Sequence, residues 1–339
     1  MIGAGYRIEE IDIRTASDEV SRELFDLAVA LHDESAPDDP PPDLEVMQRR
    51  NRTLPAVADV SDFVARDAKG ALAGHAYCAV SRIGENEHLA LSRIEVGAAH
   101  RRHGVGRALL EELRHAARAK RATMLVGFSN ERVPAGSAFA QAVGAQMAQE
   151  GHENRLDLRR VDRELIARWV AEGPVRAPGY SLVFVDGRVP DDMVEQVCRA
   201  FDVMNTAPRD EIAQDDMHMT PELYRVYENQ TFDAGGRRWA LFARHDADGD
   251  FVGFTDVSWQ PERPQLVSQG GTAVDPEHRG HALGKWLKAD MIRRVLEGLP
   301  EANFIVTGNA DSNDAMLGIN RELGFAPHAA TLVWQLPVD

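Results

Sequence analysis

The chain has 339 residues, 44% of them hydrophobic, and its 54 acidic and 38 basic residues give a formal net charge of −16. This length predicts two domains of about 100 to 200 residues, each with its own core. The acidic balance argues against a nucleic-acid partner, because neutralising phosphates requires a basic face. No apolar run approaches the roughly 20 residues that span a bilayer and no signal peptide is recognisable, so we expect a cytoplasmic protein without a membrane partner.

Cysteine and histidine usage argues against a disulfide framework and against a metal site. Cys78 and Cys198 fall one in each half of the chain, and we expect both to be free thiols. The 12 histidines form no His-x-x-x-His pair and no Cys/His cluster with the spacing of metal ligands. The sequence therefore predicts no metal.

The first half of the chain is predicted to contain helices, then a meander of strands, then a strand, a helix and a further strand. In chain order, the predicted elements are helices over 18–33 and 44–51, strands over 62–66, 72–80 and 88–96, a helix over 104–119, a strand over 124–128, a helix over 135–143 and a final stretch to Leu158. A helix over 161–171 and a turn-rich linker over 173–179 follow. We expect helices to flank a mixed sheet, which is an α+β fold.

The second half is predicted to repeat this order of elements. Its predicted elements are a strand over 180–185, helices over 193–204 and 221–229, strands over 239–244, 251–258 and 265–274, a helix over 283–297, a strand over 304–307, a helix over 314–322 and a strand over 332–336 that finishes the second sheet. We place the boundary near residue 175, with domains over 1–174 and 175–339.

An internal duplication supports this division. Val96 and Val274 are 178 positions apart, and so are Arg101 and Arg279, each pair lying around a basic turn with glycines. The turn sequences 65–70 and 243–249 correspond upstream, and 143–145 and 323–325 correspond downstream. Four landmarks in the same order indicate duplication of a whole domain.

The duplicated turns, 97–106 and 275–284, are here called the first and second glycine turns. Each is predicted to lie between a strand and a helix, so its backbone N–H groups converge at the positive end of that helix and predict a phosphate or pyrophosphate site. Basic residues lie in and after both turns, where they contact an anion or simply form a solvated face. These residues are Arg101, Arg102, Arg107, Arg279, Lys285 and Lys288.

The succession strand, Val-x-x-x-x-Arg-x-x-Gly-x-Gly, helix, strand, Asn, helix, Gly-Phe resembles the GNAT superfamily of acyl-CoA transferases, twice over. The resemblance covers almost the whole chain, and it is greatest to tandem GNAT proteins of actinobacteria, such as mycothiol synthase and the acetyltransferases encoded with antibiotic pathways. It implies two GNAT domains with splayed central sheets and acetyl-CoA or another acyl-CoA as donor. It also implies a small-molecule amine as acceptor, in a monomer or homodimer.

The resemblance implies that the strand before each glycine turn pairs with the pantetheine arm and that the turn amides hold the pyrophosphate. In the first domain, the implied CoA-binding residues are Ile94, Glu95, Val96, Arg101, Arg102, His103, Gly104, Val105, Gly106, Arg107, Ser129 and Asn130. In the second domain they are Ala273, Val274, Arg279, Gly280, His281, Ala282, Leu283, Gly284 and Lys285. Ala282 replaces the first glycine of the motif, so we expect the second site to bind CoA less tightly or to prefer a differently shaped acyl-CoA.

Many GNAT enzymes protonate the departing thiolate with a Tyr five residues before the Phe of Gly-Phe. Here the corresponding residues are Ala140 and Asn320, neither of which is an acid near neutral pH. Asn309, Asn313 and Asn320 are the best polar candidates for catalysis, with turn formation and helix capping as the structural alternative for Asn309 and Asn313. We expect the first domain to hold acetyl-CoA structurally and the second to carry out the transfer, as in mycothiol synthase.

The general base and the acceptor stay open. Glu95 is as compatible with a buried ion pair as with a base, and His218 and Asp256 are candidates in the second domain. The acidic stretch 209–216 either borders an acceptor pocket or forms a surface loop. Alternatives to a small-molecule N-acyltransferase are a protein or peptide acetyltransferase and a non-catalytic acyl-CoA-binding module.

Overall fold

The computed structural model describes residues 5–54 and 57–339, which form two compact units. The N-terminal unit comprises Met1–Glu150, Arg209–Asp215 and Ala329–Asp339, and the C-terminal unit comprises Gly151–Pro208 and Asp216–His328. The predicted boundary between residues 174 and 175 separates the two sequence repeats. The two compact units are not the same segments as the repeats, so this boundary stays a prediction.

The N-terminal unit is a mixed sheet with helices on both faces. Its elements are β1 (Arg7–Ile11), α1 (Asp18–Ser35), α2 (Leu44–Arg52), β2 (Ala58–Arg66), β3 (Leu72–Ser81), β4 (Leu89–Val96), α3 (Val105–Ala119), β5 (Met124–Asn130), α4 (Pro134–Ala142) and the greater part of β12 (Ala326–Pro337). The strand order is β1-β2-β3-β4-β5-β12. Only the β4–β5 pair in this order is parallel, as a helical crossover through α3 requires.

The C-terminal unit repeats this plan. Its elements are the greater part of β6 (Gln146–Asp157), α5 (Arg163–Arg176), β7 (Tyr180–Asp186), α6 (Val194–Asp202), α7 (Pro221–Asp233), β8 (Arg237–His245), β9 (Phe251–Trp259), β10 (Leu266–Val274), α8 (Leu283–Gly298), β11 (Phe304–Ala310) and α9 (Asp314–Leu323). The strand order is β6-β11-β10-β9-β8-β7, with β10 and β11 parallel. The predicted α+β architecture is confirmed.

The last strand of each sheet is not the one that the sequence order predicts. The prediction that 332–336 finishes the second sheet is wrong, because β12 pairs with β5 and Trp334 lies opposite Gly127. The stretch ending at Leu158 instead supplies β6 to the C-terminal unit, where Leu156 lies opposite Ile305. The alternation of apolar residues identifies a strand but does not identify its partner.

Two further predictions differ from the structure. The linker predicted over 173–179 begins later than expected, because α5 continues through Pro174 to Arg176 and the turn occupies 177–179. Gly173 is required there by packing rather than by a turn, since a Cβ atom would lie 2.4 Å from the Trp286 ring. The edge strand β1 has no counterpart in the sequence prediction, because its short sequence lacks strong alternation.

The two faces of the N-terminal sheet differ in what covers them. Leu109 and Leu113 of α3 belong to one buried cluster with Ala76 and Cys78 of β3, so α3 covers that face. The alternate side chains of β3, including His75, lie on the other face, against which α1 packs. Cys78 and Cys198 are buried free thiols, as predicted. No helix within residues 5–54 and 57–339 is long and apolar enough to cross a membrane.

Candidate functional site

The first glycine turn delivers free backbone amides to the beginning of α3. A short 3₁₀ turn over Ala98–His100 leads into Arg102 and Gly104, whose φ angles are +65° and +87°. The first helical hydrogen bond runs from the Ala108 N–H to the Gly104 carbonyl oxygen, at 3.0 Å. The amides before it, at the start of the helix, have no intrahelical acceptor and lie at its positive end.

The second glycine turn follows the same backbone path. Gly280 and Ala282 have φ angles of +88° and +58°, and the Trp286 N–H donates to the Ala282 carbonyl oxygen at 3.1 Å. A non-glycine residue with a left-handed backbone conformation destabilises the fold by about 1–2 kcal/mol. Each turn contains one such residue, Arg102 in the first and Ala282 in the second. Ala282 therefore does not alter the backbone path, and its effect on CoA affinity stays a prediction.

The motif arginines brace the turns. Arg101 Nε donates to the Val96 carbonyl oxygen at 3.1 Å, and its terminal nitrogen lies 2.5 Å from a Glu34 oxygen. Arg279 makes the same bond to Val274, at 3.0 Å, and donates to Thr206 Oγ1 at 2.9 Å. These guanidinium groups fix each turn to its strand, so their side chains are structural in this arrangement.

Two tyrosines contact the 3₁₀ turns, which are Ala98–His100 in the first glycine turn and Pro276–His278 in the second. The sequence analysis missed both contacts. The Tyr6 hydroxyl lies 3.1 Å from His100 Nδ1, and the Tyr180 hydroxyl lies 2.9 Å from His278 Nδ1. The Tyr180 ring is also 5.3 Å from the His281 ring, between centroids. The repetition of His100 and His278 at the common offset of 178 was the available signal.

The strands before the glycine turns separate from their parallel neighbours, as predicted. β4 pairs with β5 only over residues 89–91, and β10 pairs with β11 only over residues 266–268. Ile94–Val96 therefore pair with β3 on one side alone, which leaves one edge of β4 with free backbone groups. The same holds for Ala273 and Val274, which pair with β9.

A cavity of about 870 Å³ in the N-terminal unit joins the glycine turn to this separation. Ten of the twelve residues predicted to bind CoA in the first domain line it: Ile94, Glu95, Val96, Arg101, Arg102, Gly104, Gly106, Arg107, Ser129 and Asn130. His103 is not among the lining residues, and Val105 is buried in the core. The sequence analysis missed Leu91, Phe128, Thr331 and the small residues of α4 in this lining.

Ser129 has a structural role in the cavity wall. Its hydroxyl lies 2.9 Å from the Ser137 hydroxyl of α4 and accepts a hydrogen bond from Trp334 Nε1 at 2.8 Å. The wall is therefore tied to β12, the last strand of the chain. Sequence reasoning alone had no means of finding this contact, because it joins residues 205 positions apart.

Four charged or titratable residues lie on the face of the N-terminal sheet opposite α3. His75 Nε2 lies 3.2 Å from Asp62 Oδ1, and His75 Nδ1 lies 3.6 Å from Glu95 Oε2. Arg93 pairs with the other Glu95 oxygen at 2.6 Å. Burial opposes charge on His75, but its contacts with Asp62 and Glu95 prevail and raise its pKa. Burial likewise opposes charge on Glu95, but His75 and Arg93 prevail and lower its pKa.

The three asparagines predicted for catalysis are engaged in structural contacts of the C-terminal unit. Asn320 is 1% exposed and donates through Nδ2 to Asn309 Oδ1 at 2.8 Å. Asn313 caps the N-terminus of α9, where its side chain accepts a hydrogen bond from the Met316 N–H at 3.3 Å. The structure thus brings Asn309 and Asn320 together and places Asn313 in the capping role. Asn320 Oδ1 is buried without a partner among the described residues.

Asp256 and Lys288 are the other notable polar groups of the C-terminal unit. Asp256 Oδ2 accepts from Arg238 Nε at 3.0 Å, while its Oδ1 is buried beside Gly270 and has no partner among the described residues. Lys288 was expected among the exposed basic residues after the second turn, but it is 1% exposed. It lies on the face of α8 that packs in the core.

Most of the acidic stretch 209–216 packs with the N-terminal unit. Residues 209–215 belong to the N-terminal unit, where His88 Nε2 contacts the Ala213 carbonyl oxygen at 2.8 Å and Gln335 donates to the Glu211 carbonyl oxygen at 3.2 Å. The alternative that this stretch borders an acceptor pocket stays a prediction. No group of three potential metal ligands occurs in the part of the chain that the structure describes.

Comparison with known proteins identifies relatives of both halves. The model of the acetyltransferase (GNAT) family matches residues 22–142 and 202–325. A mycothiol acetyltransferase from Saccharomonospora viridis is 29% identical over an alignment of 280 residues that covers 78% of this chain and 79% of that protein.

Solved structures extend the similarity to the whole chain. A tandem GNAT protein from the clavulanic acid biosynthesis pathway has a TM-score of 0.80 and 29% identity, over 98% of this chain and 99% of that one. A GCN5-related N-acetyltransferase from Sphaerobacter thermophilus has a TM-score of 0.67, over 100% of this chain and 97% of that one. At 12% identity, the latter supports the fold alone.

Proposed function

Since this chain belongs to the acetyltransferase (GNAT) family, we propose that it transfers an acyl group from acyl-CoA to the amine of a small molecule, and that acyl-CoA binds in the N-terminal cavity. The observation that carries this proposal is the continuity of that cavity. It extends from Gly104 and Gly106 in the glycine turn, past the free edge of β4, to Tyr77 and Glu95 on the opposite face of the sheet. A donor and an acceptor approaching from the two faces would meet there.

The residues of the cavity match the chemistry of each part of acyl-CoA. The amides at the positive end of α3, with Arg102 and Arg107, suit a pyrophosphate. The free edge of Ile94–Val96 suits the amides of pantetheine, because an unpaired strand edge offers both donors and acceptors. Leu91 and Phe128, which are 44% and 59% exposed, suit its carbon chain.

The geometry favours a different division of labour from the one expected on sequence grounds. Transfer in the second domain was expected from Asn309, Asn313 and Asn320, yet these side chains connect β11 to α9 or cap α9. The N-terminal cavity, by contrast, contains a carboxylate with two charged neighbours, at Glu95. We therefore place the transfer step in the N-terminal unit, and the roles of the two units stay open to experiment.

Asp256 supports the alternative, in which the C-terminal unit carries out the transfer. Its unpaired Oδ1 lies beside Gly270, just beyond the last residue of β10 that pairs with β11. A carboxylate oxygen without a hydrogen-bond donor is poised to accept a proton or an N–H group. The two assignments differ in which glycine turn is required for turnover.

Matched substitutions in the two turns test the proposal. Gly104→Asp and Ala282→Asp place a carboxylate where the pyrophosphate would bind, in a left-handed conformation that Asp tolerates better than most residues. Gly104→Ala and Ala282→Gly are the controls. Each gives one turn the residue that naturally stands at the same position of the other turn. Native mass spectrometry with acetyl-CoA counts the occupied sites, and release of the CoA thiol with a panel of small amines measures turnover.

We expect Gly104→Asp to lose one acetyl-CoA and nearly all turnover, whereas Gly104→Ala retains both. Turnover that is lost only in Ala282→Asp would assign the transfer to the C-terminal unit. Wild-type protein that binds no acetyl-CoA would overturn the proposed function altogether.

A further inference from the structure

The proposed acyl-CoA site does not account for the charged row on the opposite face of the N-terminal sheet. Asp62, His75 and Glu95 lie on the neighbouring strands β2, β3 and β4, and their side chains are in contact. Asp62 and His75 are 5% and 7% exposed. Burying three titratable groups is costly unless they satisfy one another, so such a row calls for an explanation.

The fold itself does not require this row, because the C-terminal unit lacks it. His75 pairs with Glu95 across β3 and β4, and the corresponding pair across β9 and β10 is Phe254 and Ala273. Asp62 corresponds to Ala240 in the C-terminal unit. Asp62 lies three residues before Ala65, which pairs with Gly74, and Ala240 lies three residues before Ala243, which pairs with Gly253. These three positions are therefore apolar in the C-terminal sheet, whose own buried ion pair, Arg238 with Asp256, uses neighbouring positions instead.

Glu95 is the member of the row that reaches the cavity. It lines the cavity together with Arg93, whereas Asp62 and His75 are not among the lining residues. The remaining lining on this face is largely apolar, with Leu31, Tyr77 and Leu91 close by in the sheet and on α1. The acceptor side of the cavity thus combines one carboxylate with an apolar wall.

Resting on the proposed function, we propose that Glu95 binds the ammonium group of a primary amine with an apolar body, and that His75 and Asp62 are positioning residues that hold Glu95 ionised and directed into the cavity. The apolar body of the amine would lie against Leu31, Tyr77 and Leu91. Arg93 already contacts one Glu95 oxygen, at 2.6 Å, so the other oxygen is the one shared between His75 and the ligand.

The charge of the row depends on His75. With His75 protonated, the two carboxylates are balanced by His75 and Arg93, and the row is neutral. With His75 neutral, the row has one net negative charge and attracts a cation more strongly. Because the pKa of His75 is raised above 6.5, amine binding should tighten as the pH rises through that raised value. A simple primary amine, with a pKa near that of lysine, stays charged throughout this interval.

The charged and titratable groups around His75 come from three strands. They are Asp62 on β2, Glu95 and Arg93 on β4, and Tyr77 on β3 itself, whose ring centroid is 6.2 Å from that of His75. The helix α1 packs on β3 and also carries Asp18, Glu19, Glu23, Asp26, His32, Asp33 and Glu34. Glu23 and Glu34 are paired with Arg66 and Arg101, and His32 Nε2 lies 3.3 Å from the Asp39 carbonyl oxygen. The contacts that raise the pKa of His75 come from Asp62 and Glu95. The pH dependence of binding is therefore assigned to His75.

Three probes of similar shape test the charge preference: 2-phenylethylamine, 2-phenylethanol and 3-phenylpropionate. Their binding is measured by calorimetry on the full chain saturated with CoA, at one pH below and one pH above the His75 pKa that NMR measures on the same protein. We expect the amine to bind roughly tenfold more tightly than the alcohol, as one favourable charge contact provides, and more tightly still at the higher pH. NMR of the His75 ring should show that its pKa falls when the amine binds, a readout that needs no variant.

Variants separate positioning from direct contact. Glu95→Gln should remove the preference for the amine, and His75→Gln should abolish the change in affinity between the two pH values. Asp59→Asn is the matched control on β2, because Asp59 pairs with Arg82 and Lys120 and does not line the cavity. It should leave both readouts unchanged.

Equal binding of amine and alcohol, tighter binding of the propionate through Arg93, or an unchanged His75 pKa would overturn this proposal. Binding of acetyl-CoA is measured separately on the same protein. If acetyl-CoA binds and the amine does not, the amine proposal fails while the proposed function stands. If acetyl-CoA does not bind, the proposed function fails first.

Discussion

Replacing Lys288 with leucine should stabilise the C-terminal unit and remove a distinct pH dependence from its unfolding. The duplication supplies the substitution, because Leu110 stands at the corresponding position of α3. Lys288 is 1% exposed. Among the residues that the structure describes, its Nζ atom contacts the Met316 sulfur, at 3.9 Å, and the Phe325 ring, at 4.9 Å. No carboxylate compensates for its burial.

Burial lowers the pKa of Lys288 from 10.5 to about 7. Between these two values the unfolded chain binds a proton that the folded chain does not, so the free energy of unfolding rises with pH across this interval. At about 1.4 kcal/mol for each pH unit, the whole interval corresponds to roughly 5 kcal/mol. The penalty is fully present below pH 7 and is lost as the pH approaches 10.5.

Urea unfolding at pH 7 and pH 10, followed by tryptophan fluorescence, measures this effect. We expect Lys288→Leu to have a free energy of unfolding several kcal/mol above that of wild type at pH 7. At pH 10 this gain should be smaller by roughly 4 kcal/mol. Lys285→Leu is the control, because Lys285 is 36% exposed and pairs with Glu322, so its removal should change stability by less than about 1 kcal/mol. Parallel pH profiles for wild type and Lys288→Leu would refute the reasoning.

Three further predictions follow from packing and connectivity. Gly173→Ala should lower the free energy of unfolding by about 1–3 kcal/mol, because its Cβ would lie 2.4 Å from the Trp286 ring, whereas Gly308→Ala, with open space around it, should cost less in the same denaturation assay. Tyr6→Phe removes the hydroxyl contact with His100 and should weaken acetyl-CoA binding in the N-terminal unit alone. Tyr180→Phe removes the equivalent contact and should weaken binding in the C-terminal unit alone. Calorimetry that finds the same loss at both sites would contradict this prediction. Truncation after residue 328 removes the segment of β12 that borders β5 and should eliminate the N-terminal acetyl-CoA site in native mass spectrometry, while retention of two sites would show that β12 is dispensable.

Local sequence signals predicted the parts of the site that are built from consecutive residues. The turn from Gly97 to Gly106 and its copy were recognisable because a strand, a basic turn and a helix follow one another directly. Ten of the twelve residues named from that motif line the N-terminal cavity. The duplication also predicted the order of helices and strands in both halves.

Contacts between distant residues could not be predicted in this way. The row of Asp62, His75 and Glu95 depends on the register of three strands, and alternation within each strand does not fix that register. Lys288 looked like part of a basic surface, because its burial depends on the face that α8 presents to the core. The partner of β12 was equally hidden, since its sequence specifies a strand without saying which edge it joins.

The position of β12 also sets the order in which the protein can be completed during synthesis. Met124 of β5 lies opposite Pro337, which is synthesised 337 − 124 = 213 residues later. At about 5–20 residues per second, roughly 10–40 s pass between the emergence of these two strands. During that interval β5 presents an unpaired strand edge, which is a site for mispairing and aggregation. The sheet of the N-terminal unit therefore cannot be completed until residue 337 has been made, although most of that unit is synthesised first.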